Sequence, residues 1–183
     1  MYKNKTAVIS CGPSWRLFFA QPDFAYDTVI GCNWIAERIE CDWVVCHDAK
    51  GLVDLFWPRD GKVAEPMVRG RPKWFLHWHA LEKVGAGRLY DREDIREYMK
   101  TQHILLWPAS DKQLPYTGLA ALRLLSILAI DKSDMYGYDM IGTKDGRDTE
   151  NDNRPETRWQ TERRLFDELT TEYDLKLNMA GSK

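Results

Sequence analysis

A chain of 183 residues with a formal net charge of -2 can build one domain with a proper core, and it has no overall basic field to draw in nucleic acid. No apolar run approaches the roughly 20 residues that a bilayer span requires. The opening MYKNKTAVIS passes straight into a strand pattern without the apolar core of a signal peptide, so the expectation is a soluble, cytoplasmic protein.

The elements follow in chain order. Residues 6–10, TAVIS, are apolar and β-branched, as a central parallel strand requires. Cys11-Gly12-Pro13-Ser14 interrupts it, and a short amphipathic helix runs on to Phe19, with proline tolerated in its first turn. A second strand over 28–31 ends in Cys32-Asn33, a short helix covers 35–39, and a third strand over 42–46 ends in His47-Asp48. Apolar strands that each end in a small or polar cluster are the pattern of a doubly wound sheet with a site along one edge. Residues 56–72 read as loop, 73–77 as a fourth strand, 91–100 as a helix with acidic residues in its first turn, and 102–107 as a fifth strand.

The stretch from Leu114 to Asp139 organises the rest. Pro115 favours an extended approach, Thr117 can cap a helix, and Gly118 permits close approach. Leu119, Leu122, Leu125, Leu128 and Ala129 form one stripe that Leu124 and Ile127 widen, so the helix is expected to pack on more than one side. A strand over 132–136 follows, and Gly137-Tyr138-Asp139 stands at its carboxyl end, where open α/β sheets gather ligands. Residues 142–155 are polar and read as a mobile lid, 157–173 as the last helix, and 175–179 as a closing strand. The expected fold is a single Rossmann-like α/β domain over 1–183, with a mostly parallel sheet and helices on both faces.

Several residues invite chemistry. Gly12-Pro13-Ser14 reads as backbone N–H groups at a helix start, a natural anion site, or else as an ordinary βα turn. Asn33 can donate and accept, as base or ribose recognition requires, and it equally suits a helix cap. His47-Asp48 joins an imidazole to a carboxylate at a strand end, with one of the two expected to face a cleft. His77 and His79 would share a face on a strand and so suit a metal pair, but no third ligand is evident and Trp74 and Trp78 argue for an aromatic layer. The four cysteines, Cys11, Cys32, Cys41 and Cys46, contain no CxxC pair and read as small buried thiols rather than a zinc site. Arg147, Arg154 and Arg158 would bring positive charge to a diphosphate on closure of the lid. Arg163 and Arg164 read as surface partners of Glu162 and Glu168.

Taken in order, the strand ending in Gly12-Pro13-Ser14, the Cys32-Asn33 and His47-Asp48 ends, Thr117-Gly118 opening a buried helix and Gly137-Tyr138-Asp139 resemble the compact bacterial lipooligosaccharide sialyltransferases and the wider group of archaeal pterin diphosphokinase-like proteins. The resemblance runs in outline from Thr6 to about Met179, with 52–113 matching in element order alone. It implies a Rossmann-like domain that holds a nucleotide, CMP in the sialyltransferases. Gly12 and Asn33 stand at positions that touch the nucleotide in that family, and Pro13 and Ser14 belong to the same motif. Thr117-Gly118 stands at the turn that contacts base and ribose, without the family's serine. Tyr136 and Tyr138 lie near the tyrosines that hold the phosphate. The family's general base, a histidine before the last helix, is missing, since 153–158 reads Asn-Arg-Pro-Glu-Thr-Arg and no histidine follows His103.

The function expected on this basis is glycosyltransferase-like. A nucleotide or nucleotide-sugar donor of CMP or UDP type is the substrate, the acceptor is open, and no cofactor is tightly bound. A divalent metal is not favoured, and a homo-oligomer is compatible with the sequence. Asp139, Asp48 and His47 are the candidate catalytic groups. Glu156 ranks lower because a helix start weakens it as a base, and Asp139 also suits a purely loop-holding role. The alternatives are a non-catalytic nucleotide-binding or assembly protein of the same fold, and metal-dependent pyrophosphoryl transfer.

Overall fold

The computed structural model describes residues 5–22, 25–56, 66–84, 92–107, 114, 116–140 and 155–181. The elements are β1 (Thr6–Ile9), a 3₁₀ helix (Pro13–Ala20), β2 (Thr28–Cys32), a 3₁₀ helix (Asn33–Glu37), β3 (Trp43–Cys46), α1 (Ala49–Leu55), β4 (Lys73–His77), α2 (Trp78–Lys83), α3 (Glu93–Met99), β5 (Ile104–Trp107), α4 (Thr117–Ile127), β6 (Lys132–Tyr136), α5 (Glu156–Glu172) and β7 (Lys176–Met179). The strands form a seven-stranded sheet in the order β5-β4-β3-β2-β1-β6-β7. The pairs β1–β6, β3–β4, β4–β5 and β6–β7 are parallel. This is a Rossmann-like α/β fold, and its strand order reverses direction between β1 and β6. Among the described residues, no helix is long and apolar enough to cross a membrane.

The chain divides into two compact units, one of residues 1–30 with 118–183 and one of 31–117. In the first, β1 is buried along its whole length, as its β-branched apolar sequence requires. Leu119, Leu122, Leu124 and Leu125 of α4 are fully buried, as the wide apolar stripe predicts. The stripe stops short of its predicted end, because Ile127 is 47% exposed. The chain turns there. Ala129 takes a left-handed φ of 54°. The Ile130 N–H then donates to the Leu125 carbonyl at 2.9 Å and the Ala129 N–H to that of Ser126 at 3.1 Å, which closes the last orphan carbonyls. The same device ends α5. Asp174 has a φ of 49°, and Leu175 N–H donates to the Thr170 carbonyl at 3.0 Å. Of the face expected for the last helix from Trp159, Phe166, Leu169 and Tyr173, the first three are buried, together with Glu162 and Leu165, while Tyr173 is half-buried.

In the second unit, β3, β4 and β5 lie in register at a constant offset, Val44 beside Trp74 and Trp74 beside Ile104. Two short helices here escape periodicity, α1 and α2, because neither is long enough to repeat an apolar face. Both are set by their caps. Asp48 Oδ1 accepts from the Gly51 N–H at 2.7 Å to start α1, and His77 Nδ1 accepts from the His79 N–H at 3.3 Å to start α2. Arg92 holds the start of α3 by a two-pronged pair with Asp94 and by donating to the Phe56 carbonyl at 2.9 Å.

Candidate functional site

Within the first unit, the carboxyl ends of β1 and β6 are bound to each other. Past the strands, the Ser10 N–H donates to the Tyr136 carbonyl and the Gly12 N–H to the Gly137 carbonyl, both at 2.8 Å. The Ser14 N–H and hydroxyl both donate to Asp139 Oδ2, at 2.9 and 3.0 Å, and Ser14 Oγ accepts from the Gly137 N–H at 2.9 Å. Pro13 has no N–H, and that of Trp15 donates to the Gly12 carbonyl at 3.1 Å. The expectation of open N–H groups at this helix start is therefore corrected, since each of them is engaged within the protein. Asp139 supplies from across the loop the cap that Gly12 cannot. The approach needs glycine on both sides. A Cβ on Gly12 would stand 2.4 Å from Asp139 Oδ2, and one on Gly137, whose φ is 71°, would stand 2.2 Å from the Ser10 carbonyl oxygen.

Gly118 and Tyr138 also meet in this unit. The Tyr138 hydroxyl donates to the Gly118 carbonyl at 2.9 Å, and the ring lies against Phe166. Tyr138 is 6% exposed, so it points inward. Tyr136 is buried in a different network. Its hydroxyl lies 2.5 Å from that of Tyr26, which donates to Asp134 Oδ2 at 2.7 Å. A carboxylate only accepts, so Tyr136 donates to Tyr26 and Tyr26 to Asp134. Burial, then the hydrogen bonds of Tyr136 and Asp134, hold the Tyr26 phenol protonated far above its ordinary range. Arg158 is half-buried in the first turn of α5, over the Trp159 ring. Arg163 pairs with Glu156 and the Met140 carbonyl rather than with Glu162, while Arg164 pairs with Glu168 as expected. Arg147, Arg154 and the stretch 142–154 lie outside the described residues.

In the second unit, Asn33 follows β2 with a left-handed φ of 50°, which asparagine tolerates. Its Nδ2 donates to Thr117 Oγ1 at 3.1 Å, and the Thr117 hydroxyl faces Asn33 Oδ1 at 3.4 Å. Thr117 is thus the first residue of α4, with its hydroxyl turned to Asn33. Gly51 leaves room beside this pair, since a Cβ there would stand 2.6 Å from Asn33 Oδ1. The Asp48 carboxylate, exposed at the surface, is engaged in capping α1.

His47 has a different neighbour. The register places Cys46 beside Leu76 and His77 beside Trp107, so His47, one residue past β3, falls in line with both. The ring centroids of His47 and His77 are 5.9 Å apart, and that of Trp107 lies 5.0 Å from His77. His79 belongs to α2, not to a strand, and its ring stacks on His77 at 5.3 Å. Of the aromatic layer expected here, Trp78 lies against His79 at 4.2 Å, whereas Trp74 stacks on Phe56 and the imidazoles of His47 and His77 meet Trp107. His77 is 2% exposed, and neither its Nε2 nor that of His47 has a hydrogen-bond partner among the described residues. His77 Nδ1 accepts the N–H of His79, so the neutral ring carries its proton on Nε2. Burial lowers the pKa of both rings. Lys83 lowers both further, Asp48 opposes it at His47, and the other imidazoles add to it at His77. Residues 47, 77 and 107 stand thirty apart in sequence, but that spacing becomes a contact only through the register of the paired strands.

Among the described residues, no group of three or more His, Cys, Asp or Glu side chains is placed to hold a metal ion. The four cysteines form no disulfide. Burial and then the Asp42 and Glu40 carboxylates push the Cys41 thiol up to about 12, so it stays protonated at neutral pH. No protein-family model matches the chain, and no curated protein matches it.

Proposed function

We propose that this chain is a glycosyltransferase-like protein that binds a nucleotide or nucleotide-sugar of CMP or UDP type and transfers the sugar to an acceptor. The observation that carries the reading is the reversal of strand order between β1 and β6. In open α/β sheets that reversal marks the ligand edge, and here it bears the close-packed Gly12–Ser14 and Gly137–Asp139 turns. In the transfer, the acceptor oxygen forms a bond to the sugar, the bond to the nucleotide phosphate breaks, and the acceptor's proton leaves to a base. Asp139 and Asp48 are poorly suited to that proton, since both carboxylates are engaged with backbone N–H groups. His47 is the remaining candidate for that base, its ring held neutral chiefly by burial.

The same two engaged carboxylates favour a second reading, a nucleotide-binding protein of this fold without transfer activity. A thermal-shift screen of nucleotides and nucleotide-sugars, with and without magnesium, tests both, because a specific ligand raises the unfolding midpoint. The transfer reading expects a CMP- or UDP-type hit, product formation from the matching donor, and a loss of about a hundredfold in turnover for His47→Gln. Binding without turnover favours the second reading, and a blank screen ends both.

A further inference from the structure

Beside β5, the edge strand of the sheet, three elements each turn one face to a common groove of about 410 Å³. Ile104 and Leu106 come from β5, two apart and so on one side of the strand. Met99 with Arg96 and Lys100 from α3, and Leu81 with Trp78 and Glu82 from α2, stand at the spacings of three and four that share a helix face. The volume lies within the roughly 300–1,000 Å³ of small-molecule clefts, and the lining is of their kind, apolar with a few charged groups. Leu106 is 46% exposed, so a ligand's apolar body seated there takes its side chain out of water.

The charges are divided between the helices, two cations on α3 and one carboxylate on α2. Arg96 meets Glu93 through one nitrogen at 3.4 Å, and Lys100 pairs with Glu97, but neither acid lines the groove. Exposed pairs of this kind hold their partners weakly. A guanidinium offers five donors in a flat fork, and among the described residues one of those of Arg96 is bonded, to Glu93, so a carboxylate can still be taken on two prongs. Glu82, held by the His79 ring at 2.9 Å, keeps negative charge on the α2 side and disfavours a second anionic group there. We propose that the groove binds an amphiphilic monocarboxylate, with its apolar body on Trp78, Met99 and Leu106 and its carboxylate on Arg96. The site uses none of the residues that the transfer reading names, and it stands without that reading.

The test is a calorimetric titration of the full chain with phenylbutyrate and octanoate, against phenylbutanol and octanol as uncharged counterparts, with side-chain methyl signals followed by NMR. Each acid should fill one saturable site, moving the Leu106 and Met99 methyls and leaving those of Val44, buried in β3, unmoved. The alcohols should bind roughly threefold to tenfold more weakly, the share of one charge-assisted contact at a wet rim. Arg96→Gln, at an exposed helix position, should bring the acids down to the level of the alcohols and leave the alcohols unchanged. Leu106→Gln should weaken acids and alcohols alike. Should that variant fail to fold, the Arg96→Gln comparison decides alone. No saturable binding at millimolar ligand, equal affinity for acid and alcohol, or a gap that survives Arg96→Gln overturns the proposal. So does a Leu106 signal that moves with protein concentration as the chain dimerises, which would make the groove an interface between copies.

Discussion

Ser14 ties the ends of β1 and β6 together through both its hydroxyl and its backbone N–H. Its hydroxyl accepts from the Gly137 N–H and donates to Asp139, while its own N–H reaches the same carboxylate oxygen. Gly137 is buried, so removing the hydroxyl leaves a buried N–H without a partner. That loss is worth about 1–3 kcal/mol. Ser14→Ala should therefore lower stability to denaturant by about that amount, while Ser14→Thr, which keeps the hydroxyl, should lose less. A variant as stable as the wild type would show that the bridge contributes nothing. Serine at this place was visible in the sequence, but its partner lies 125 residues away, beyond the reach of any local pattern.

At the scale of elements, the ends of helices carry the strain. Ala129 stops α4 in a left-handed conformation that ordinary side chains occupy at a cost of about 1–2 kcal/mol. The residue is exposed, so its methyl contributes little packing. Ala129→Gly should raise stability by about 0.5–1 kcal/mol, the relief of strain less the added freedom of the unfolded chain. Thermal and denaturant unfolding of the single variant checks it, and a loss of stability would show that the turn is not strained. The helix itself was legible from Leu119 to Leu125, because a wide apolar face repeats there. Its last turn was not, since Ile127 and Leu128 are apolar residues whose exposure depends on where the chain turns away.

At the scale of the molecule, the buried imidazoles tie folding to pH. Both His47 and His77 titrate below the ordinary value in the folded chain, chiefly because burial disfavours the charged ring. Between the folded value and about 6.5 the unfolded chain binds more protons, so stability is lost as pH falls below about 6.5. Asp94 acts in a separate window. Arg92 holds its carboxyl below the usual range, so its contribution is present above about 4 and is lost below that. Denaturant melts across this range should show two steps, and His47→Gln with His77→Gln should flatten the upper one alone. A wild-type chain whose stability is level between about pH 7 and about pH 5 would contradict the burial of neutral rings.

The sequence by itself determined the secondary structure of the strands and the long helices, and from their alternation the parallel α/β fold. Strand periodicity, β-branching and turn residues are local, so they can be read without knowing what packs on them. It also marked the strand ends as the interesting places. Tertiary structure alone decided what those ends do. Asp139 and Asp48 are interchangeable with catalytic acids on paper, but the hydrogen bonds that engage them come from Ser14 and Gly51 in the folded chain. Tyr138 turns inward onto Gly118, and Asn33 meets Thr117 at a separation of 84 residues. His47 and His77 become one feature because three parallel strands repeat at a constant offset, and a register of that kind exists only once the strands have paired.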